Sequence, residues 1–499
     1  MRSSIDTIQL VLLCKQKYLK NNVDINKFFH PLIKDLKRIE NEGVDLGRNF
    51  GVKKGSVVFI LGDNLGSHMI GGFTTNFSAV EYYCRYCFAN RTDLKLDKIN
   101  PQFYEHRNRN NYKVDCNIMS ENPELSNSHG IKSNSIFNEL RYFHVVDPGL
   151  PPCIGHDLFE GVVKVDLNLI LNKIILEYHW FTYDQLNLWI KRFKFLNPES
   201  LDKPCYQSSK CISGHAVQVW TLLRMIPLLV PFGRVQHENK FWNLLLLLRE
   251  VVNWACKPFY DNSDVVFMDD CIVEYFNLRN ECFPGSLKPK HHYVFHIPML
   301  TLLCGPLIKL WTLRFESKHS YFKSCLRSLK NYINITKTLA ESHQLLQAMY
   351  SEGSLFPPHI IQNEDTIPFS LTLYSQEIQK SFNDYFPNLS DHEFFQTKKV
   401  IYSKISYSLE IVLPINRRSL KDVSFGTLKL ILIHKGVSVY FILQLINTVY
   451  IDELGLYKVI DICPENEYIC VSINDLLDKC PLNLYQVQGD SFIVLKHSI

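Results

Sequence analysis

Four short stretches carry residue types that bind metals, and their order along the chain matters more than any one of them. The first is Gly62-Asp63-Asn64, where Asp63 closes the apolar run 57–61. A carboxylate at the end of a central strand is placed to hold a divalent cation; an Asp there equally starts a turn or caps the next helix. The second is Cys84-x-x-Cys87, a spacing that lets two thiolates ligate one zinc. A single pair can also be redox-active or incidental. The third is His291-His292-Tyr293-Val294-Phe295-His296. Both His291 with His296 and His292 with His296 have zinc-ligand spacing, and with the cysteines either pair completes a Cys2His2 set. The alternative is a histidine cluster on a basic surface. The fourth is Glu316, the only acid between Lys288 and Lys330. Around it stand Lys288, Lys290, Lys309, Arg314, Lys318, Lys323, Arg327 and Lys330. An acid between Arg314 and Lys318 is ordinarily a salt-bridged surface residue. Alone in a basic stretch, it also suits metal-dependent phosphodiester chemistry, with bases on phosphates and the acid on the metal.

The elements that must position these residues are partly visible in the pattern. Residues 5–14 read as a strand. Over 24–42, Ile25, Phe28, Phe29, Leu32, Ile33, Leu36 and Ile39 share a helical face, with Pro31 marking a possible start. Residues 57–61 read as a second strand, so strand, helix and strand predict an α/β opening on a parallel sheet. Residues 89–135 are punctuated by asparagines and predict a long loop or insertion, partly disordered. From 155 to 283 the chain is helical, with Thr182 and Gln185 as a capping box and runs over 214–230, 238–256 and 264–280. A further helix begins near Trp311. Pro357, Pro358, Pro368 and Pro387 interrupt 351–395. Residues 400–499 read as β, with hairpin turns at Gly436 and at Gln488-Gly489-Asp490. The division expected is 1–88, 89–150, 151–287, 288–350, a linker 351–399, and 400–499.

Composition bounds the class. The chain has 499 residues, 46% hydrophobic and 13% aromatic, which excludes a disordered protein, and the length suggests roughly three domains. Fifteen cysteines are too sparse for a disulfide scaffold and odd in number. The N-terminus lacks a signal-peptide pattern, and the apolar windows 221–230 and 244–248 fall short of a membrane span. A soluble, reducing-compartment protein is expected, with no membrane partner. A net charge of +4 means that any basic binding surface is local.

Taken in this order, the motifs resemble those of transposase-like proteins from the CACTA/Mirage/Chapaev group of DNA transposons. More distantly they resemble the catalytic core of the V(D)J recombinase and its Transib relatives. The resemblance implies an RNase H-like core with an Asp-Asp-Glu triad, split by a large α-helical insertion, plus a β-rich C-terminal domain. Asp63 matches the second Asp and Glu316 the Glu. Cys84 and Cys87 match the cysteine pair, and His291 and His296 the histidine pair. The stretches GDNLGSHMIGGF, LPPCIGHDLFEGV, CGPLIKLWTLRFESKH and VLKHSI are similar to uncharacterised transposon-derived animal proteins. His156, Asp157 and Glu160 resemble a helix-start motif of the group, for which capping and packing, or catalysis, are both open roles.

The resemblance implies a structural zinc on Cys84, Cys87, His291 and His296, and a catalytic Mg or Mn on Asp63 and Glu316. Lys290, Arg314, Lys318 and Lys323 become candidates for phosphate contact, with a solvated basic face as the alternative. DNA is the implied partner, a homodimer is implied, and the location is nuclear by function, or otherwise cytoplasmic. The sequence departs from the pattern before Asp63. Only one strand precedes the helix 24–42, and none of Asp6, Asp24, Asp35, Glu40, Glu42 and Asp45 takes the first-Asp position. Two-metal catalysis needs a bridging carboxylate. The expectation is therefore an N-terminally truncated or domesticated transposase, weak or inactive as written. The alternatives are a retained, non-catalytic DNA- or protein-binding protein and a fragment without function.

Overall fold

The structure is a computed structural model that describes residues 7–15, 18, 22–77, 79–329, 333–351, 360–362, 365–462 and 467–499. Asp6, Lys330, Pro357 and Pro358 lie outside them. It mixes α and β, with antiparallel sheets gathered in the C-terminal region.

The N-terminal part builds on the helix Asn22–Asn41, which runs straight through Pro31 rather than starting there. Proline removes one backbone hydrogen bond, and the buried face with Ile25 and Ile33 carries the helix past it. Residues 8–15 and 57–61 are irregular and join no sheet. Among the described residues, the second run's backbone bonds to another segment through Ile60 N donating to Gly149 O at 2.9 Å. The expected parallel sheet is thus corrected: every strand pairing among the described residues is antiparallel. An apolar β-rich run marks a strand only where a partner edge is present to pair with it.

The Asn-rich stretch is also corrected. It is a folded unit and not a loose loop. Asn108 and Asn111 form a reciprocal capping box at the start of the helix Arg109–Glu121, so these asparagines mark a helix N-terminus. Tyr112 and Met119 from that helix pack with Phe73, Ile131, Phe137, Phe143 and Ile33 into a small core. Gly72, at φ +68°, lies against the Ser133 carbonyl so closely that a Cβ would come within 1.9 Å of it. Ile33 and Phe73 thus share one core with residues of 112–150, across the boundary expected at 88, while Val80, Tyr83, Cys87, Leu94 and Ile99 pack into the helical core.

The helical region holds the largest core. Thr182 and Gln185 cap Tyr183–Arg192 as expected. Ala216–Leu229, Lys240–Ala255 and Asn262–Cys282 follow within a few residues of their expected bounds. Buried Leu222, Ile226, Leu245, Leu248, Ile272 and Phe276 fill its centre. The helices Pro289–Phe295 and Leu313–Ser328 flank it and carry the histidines and Glu316. No single described helix is long and apolar enough to cross a membrane.

The C-terminal region is β, as expected, but begins earlier. Two long bent strands, Asp422–His434 and Ser438–Ile451, pair with each other and change their other partners along their lengths. Phe394–Thr397 and Ile367–Pro368 extend the sheet. The helix Gln376–Tyr385 closes one face, with Phe382 against Phe369 and Phe394. Most of the expected linker 351–399 thus belongs to this domain. The turn at Gln488-Gly489 has positive φ at both positions, 53° and 91°, the two-residue hairpin geometry that glycine favours.

Candidate functional site

The cysteine pair sits in an irregular turn, and the histidines sit one helical turn apart on Pro289–Phe295 and its C-cap. Four ligand atoms converge: those of Cys84, Cys87, His292 and His296 lie within 4.8 Å of one another, all buried. Cys87 Sγ is 3.1 Å from His292 Nε2 and 3.6 Å from His296 Nε2. Cys84 Sγ is 3.5 Å from His296 Nε2, and the two Nε2 atoms are 3.0 Å apart. A tetrahedral zinc with bonds near 2.3 Å to sulfur and 2.0 Å to nitrogen requires edges of about 3.6 Å and about 3.3 Å. These four distances depart from that tetrahedron by a few tenths of an ångström, and the other two lie within 4.8 Å. His292 Nδ1 lies 2.6 Å from the Ile99 carbonyl; donating there, it leaves Nε2 as the ligating atom, the usual outer support of a metal-bound imidazole.

Burial pushes the His296 imidazole down to about 4, so it is neutral and ready to ligate. Burial also pushes the Cys84 thiol up, but its hydrogen bond with Cys87 and the two imidazoles outweigh this and hold it well below the usual thiol range. Burial and the Cys84 charge push Cys87 up. A cation bound there would hold both sulfurs as thiolates.

The histidine assignment is corrected. His292, not His291, faces the cysteines. His291 Nε2 lies 3.1 Å from both oxygens of Asp166. Arg279 contacts the same carboxylate, and Tyr275 donates its hydroxyl to it. A helix turns about 100° per residue, so adjacent histidines face different neighbours, and spacing alone cannot choose between them.

The other motifs gather beside this centre. Arg85, between the two cysteines, donates to Asn64 Oδ1 at 2.6 Å and to the Leu150 carbonyl at 3.2 Å. Asn64 in turn donates to Asp157 Oδ1. Tyr293, between the histidines, donates to the Tyr83 carbonyl and contacts His68 Nε2. Asp63 caps the helix Asn64–Ile70, accepting from Gly66 N at 2.6 Å, and is exposed. The capping role open in the sequence is thus present.

Glu316 is half-exposed on the helix Leu313–Ser328, and its Oε1 is 3.1 Å from His156 Nε2. His156 Nδ1 is 3.2 Å from Cys153 Sγ. The Thr312 amide donates to the same sulfur at 3.2 Å. The hydrogen bond with Cys153, reinforced by Glu316 and Glu160, raises His156 to about 9. Burial pushes Cys153 up, yet the bonds to His156 and Thr312 outweigh it and lower the thiol. His156, Asp157 and Glu160 lie on a wide-turn π-helix, Gly155–Val163, a form that recurs at functional sites. Asp157 is raised by burial despite Arg85. Its Oδ2 is buried without a hydrogen-bond partner among the described residues.

The basic candidates separate. Lys290 Nζ donates to the His156 carbonyl at 2.7 Å. It crosses Gly161 so closely that a Cβ there would come within 2.5 Å of Lys290 Cδ. Arg314 lies over the Phe315 ring, and Lys323 is exposed. Lys318 is only 4% exposed and lies near the Tyr321 ring, so phosphate contact by Lys318 is corrected: a helix with one buried face turns one of its bases inward. Cys153 and Thr312 are the site residues that the sequence reading missed. Cys153-x-x-His156 was the available signal, hidden because Cys153 stands among apolar neighbours. The chain matches no protein-family model, and no curated protein matches it.

Proposed function

We propose that the protein is a relative of DDE-type transposases that binds DNA through a zinc-tied, RNase H-like core. The observation that carries this reading is that Asn64, beside Asp63, donates to Asp157, whose chain neighbour His156 contacts Glu316. It joins three motifs distant in sequence around Arg85 of the zinc turn. Residues 7–15 and 57–61 are the segments this reading makes core strands.

Asp63 and Glu316 would hold a divalent cation through the carboxylate oxygens not already engaged by Gly66 and His156. The buried, unpartnered Asp157 Oδ2 is a donor of the same class. A bound Mg or Mn supplies charge stabilisation for the attacking and leaving oxygens of a phosphodiester. His156 holds Glu316 in place, Lys290 fixes the π-helix, and Lys323 contributes positive charge to the DNA-facing side. Two carboxylates of a triad are assigned, so catalysis is expected to be weak beside binding. The engagement of Asp63 and Glu316 by protein partners favours the second reading, a DNA-binding protein without catalysis.

Fluorescence-anisotropy titration with duplex DNA, paired with a Mg-dependent nicking assay, tests this. Binding that weakens with salt and weakens further in Lys323→Glu supports the reading. Any nicking should fall roughly a hundredfold or more in Glu316→Gln and in Asp63→Asn; asparagine keeps the helix cap, so the latter removes only the charge. No DNA binding at low salt, or nicking retained by both variants, contradicts it.

A further inference from the structure

A second cluster of ligand-type atoms lies far along the chain from the first, where the C-terminal segment crosses the junction of the helical and β regions. Asp478, Cys480 and His497 present one oxygen, one sulfur and one nitrogen within 4.8 Å of one another. His497 and Asp478 are about nine-tenths buried, with Nε2 and Oδ2 3.3 Å apart. His497 Nδ1 is 3.0 Å from the Ser498 carbonyl. A carbonyl only accepts, so Nδ1 carries the proton there. In the neutral imidazole this leaves the lone pair on Nε2, pointed at a carboxylate lone pair. Two acceptors at that distance repel unless a cation stands between them. A proton would serve that pair alone; the nearby thiol adds a third donor. The Cys480 amide donates to Asp478 Oδ1 at 3.1 Å, orienting the carboxylate as outer-shell bonds orient metal ligands.

Charge balance allows a dication. The surrounding cations already have carboxylates: Arg224 and Lys496 approach Glu199, and Lys257 is 2.8 Å from Asp264. A carboxylate and a thiolate then neutralise one divalent ion. From the mixed oxygen, sulfur and nitrogen set we infer that Asp478, Cys480 and His497 bind a second divalent cation of the zinc class, with a fourth position left open. The ion clamps residues 494–499 to the loop 474–482. That segment is otherwise held by Arg224 donating to the Leu495 carbonyl, Lys496 to the Pro481 carbonyl, and the Ser498 amide to the Asn253 carbonyl.

Metal content of the full chain, saturated with zinc and freed of excess, tests this. Two zinc ions per chain are expected, falling to one in His497→Ala and in Cys480→Ser. With cobalt in place of zinc, the thiolate charge-transfer band of the wild type reports three sulfur–cobalt bonds. It should fall by a third in Cys480→Ser and by two-thirds in the Cys84→Ser/Cys87→Ser double variant. One ion per wild-type chain, a band from two bonds only, or variants that keep both ions would overturn the inference. Should a variant fail to fold, as judged by circular dichroism, the wild-type zinc count and cobalt band decide.

Discussion

Cys153 and His156 face each other across 3.2 Å, with Glu316 on the far side of the imidazole. Their protonation is therefore shared, and they titrate as a pair. In an NMR titration the His156 ring should change state near pH 9, and Cys153→Ser should return it toward its ordinary value. Raised from 6.5 to about 9 on folding, the imidazole contributes fully to stability below 6.5. That contribution is lost as pH rises through 9. The Cys153 thiol, lowered on folding, carries the opposite sign over the same window, so wild-type thermal stability should stay nearly level across it. At the same scale, the sequence showed Asp63, Cys84, Cys87 and Glu316 as candidates but misassigned His291. Adjacent histidines share the same local pattern, and only the tertiary partners, Asp166 on one side and the cysteines on the other, separate them.

Among the elements, the π-helix Gly155–Val163 and its continuation Lys164–Asn172 place Asp157 beside Asn64 and Asp166 against His291 of the helix Pro289–Phe295. Burial raises the Asp166 carboxyl, but His291 and Arg279 outweigh it and hold it below the usual carboxylate range. Its stabilisation is present above the ordinary carboxylate pKa of about 4 and lost as pH falls through that range. Asp166→Asn strands Arg279, which is fully buried. Breaking such a pair costs about 3–5 kcal/mol, measurable as a lowered urea midpoint. Helix periodicity and capping residues were legible because they are local. The runs 7–15 and 57–61 misled because strand formation depends on a partner that composition does not reveal. The asparagines of 100–134 read as loop because the same residue type both caps helices and breaks them.

At the scale of the whole molecule, the β region is bound to the helices rather than tethered beside them. Trp242 Nε1 donates to the Glu453 carbonyl at 2.8 Å, and buried Arg249 donates to the Leu454 and Gly455 carbonyls. Leu454, Leu456, Phe492 and Val494 join the helical core. The helical and β regions should unfold together by calorimetry. Trp242→Ala, at a cost of about 3–5 kcal/mol, should split the transition in two. No sequence pattern announced this junction, since its contacts are carbonyls and scattered apolar residues drawn from separate regions.

Cys84, Cys87, His292 and His296 are placed to hold one metal ion such as zinc, beside which the other motifs gather. Zinc content of His292→Ala and His291→Ala, measured side by side with wild type, tests it most directly. His292→Ala should lose one zinc per chain, while His291→Ala keeps the wild-type count despite lower stability. Loss of zinc in His291→Ala with retention in His292→Ala would rule out His292 as the ligand.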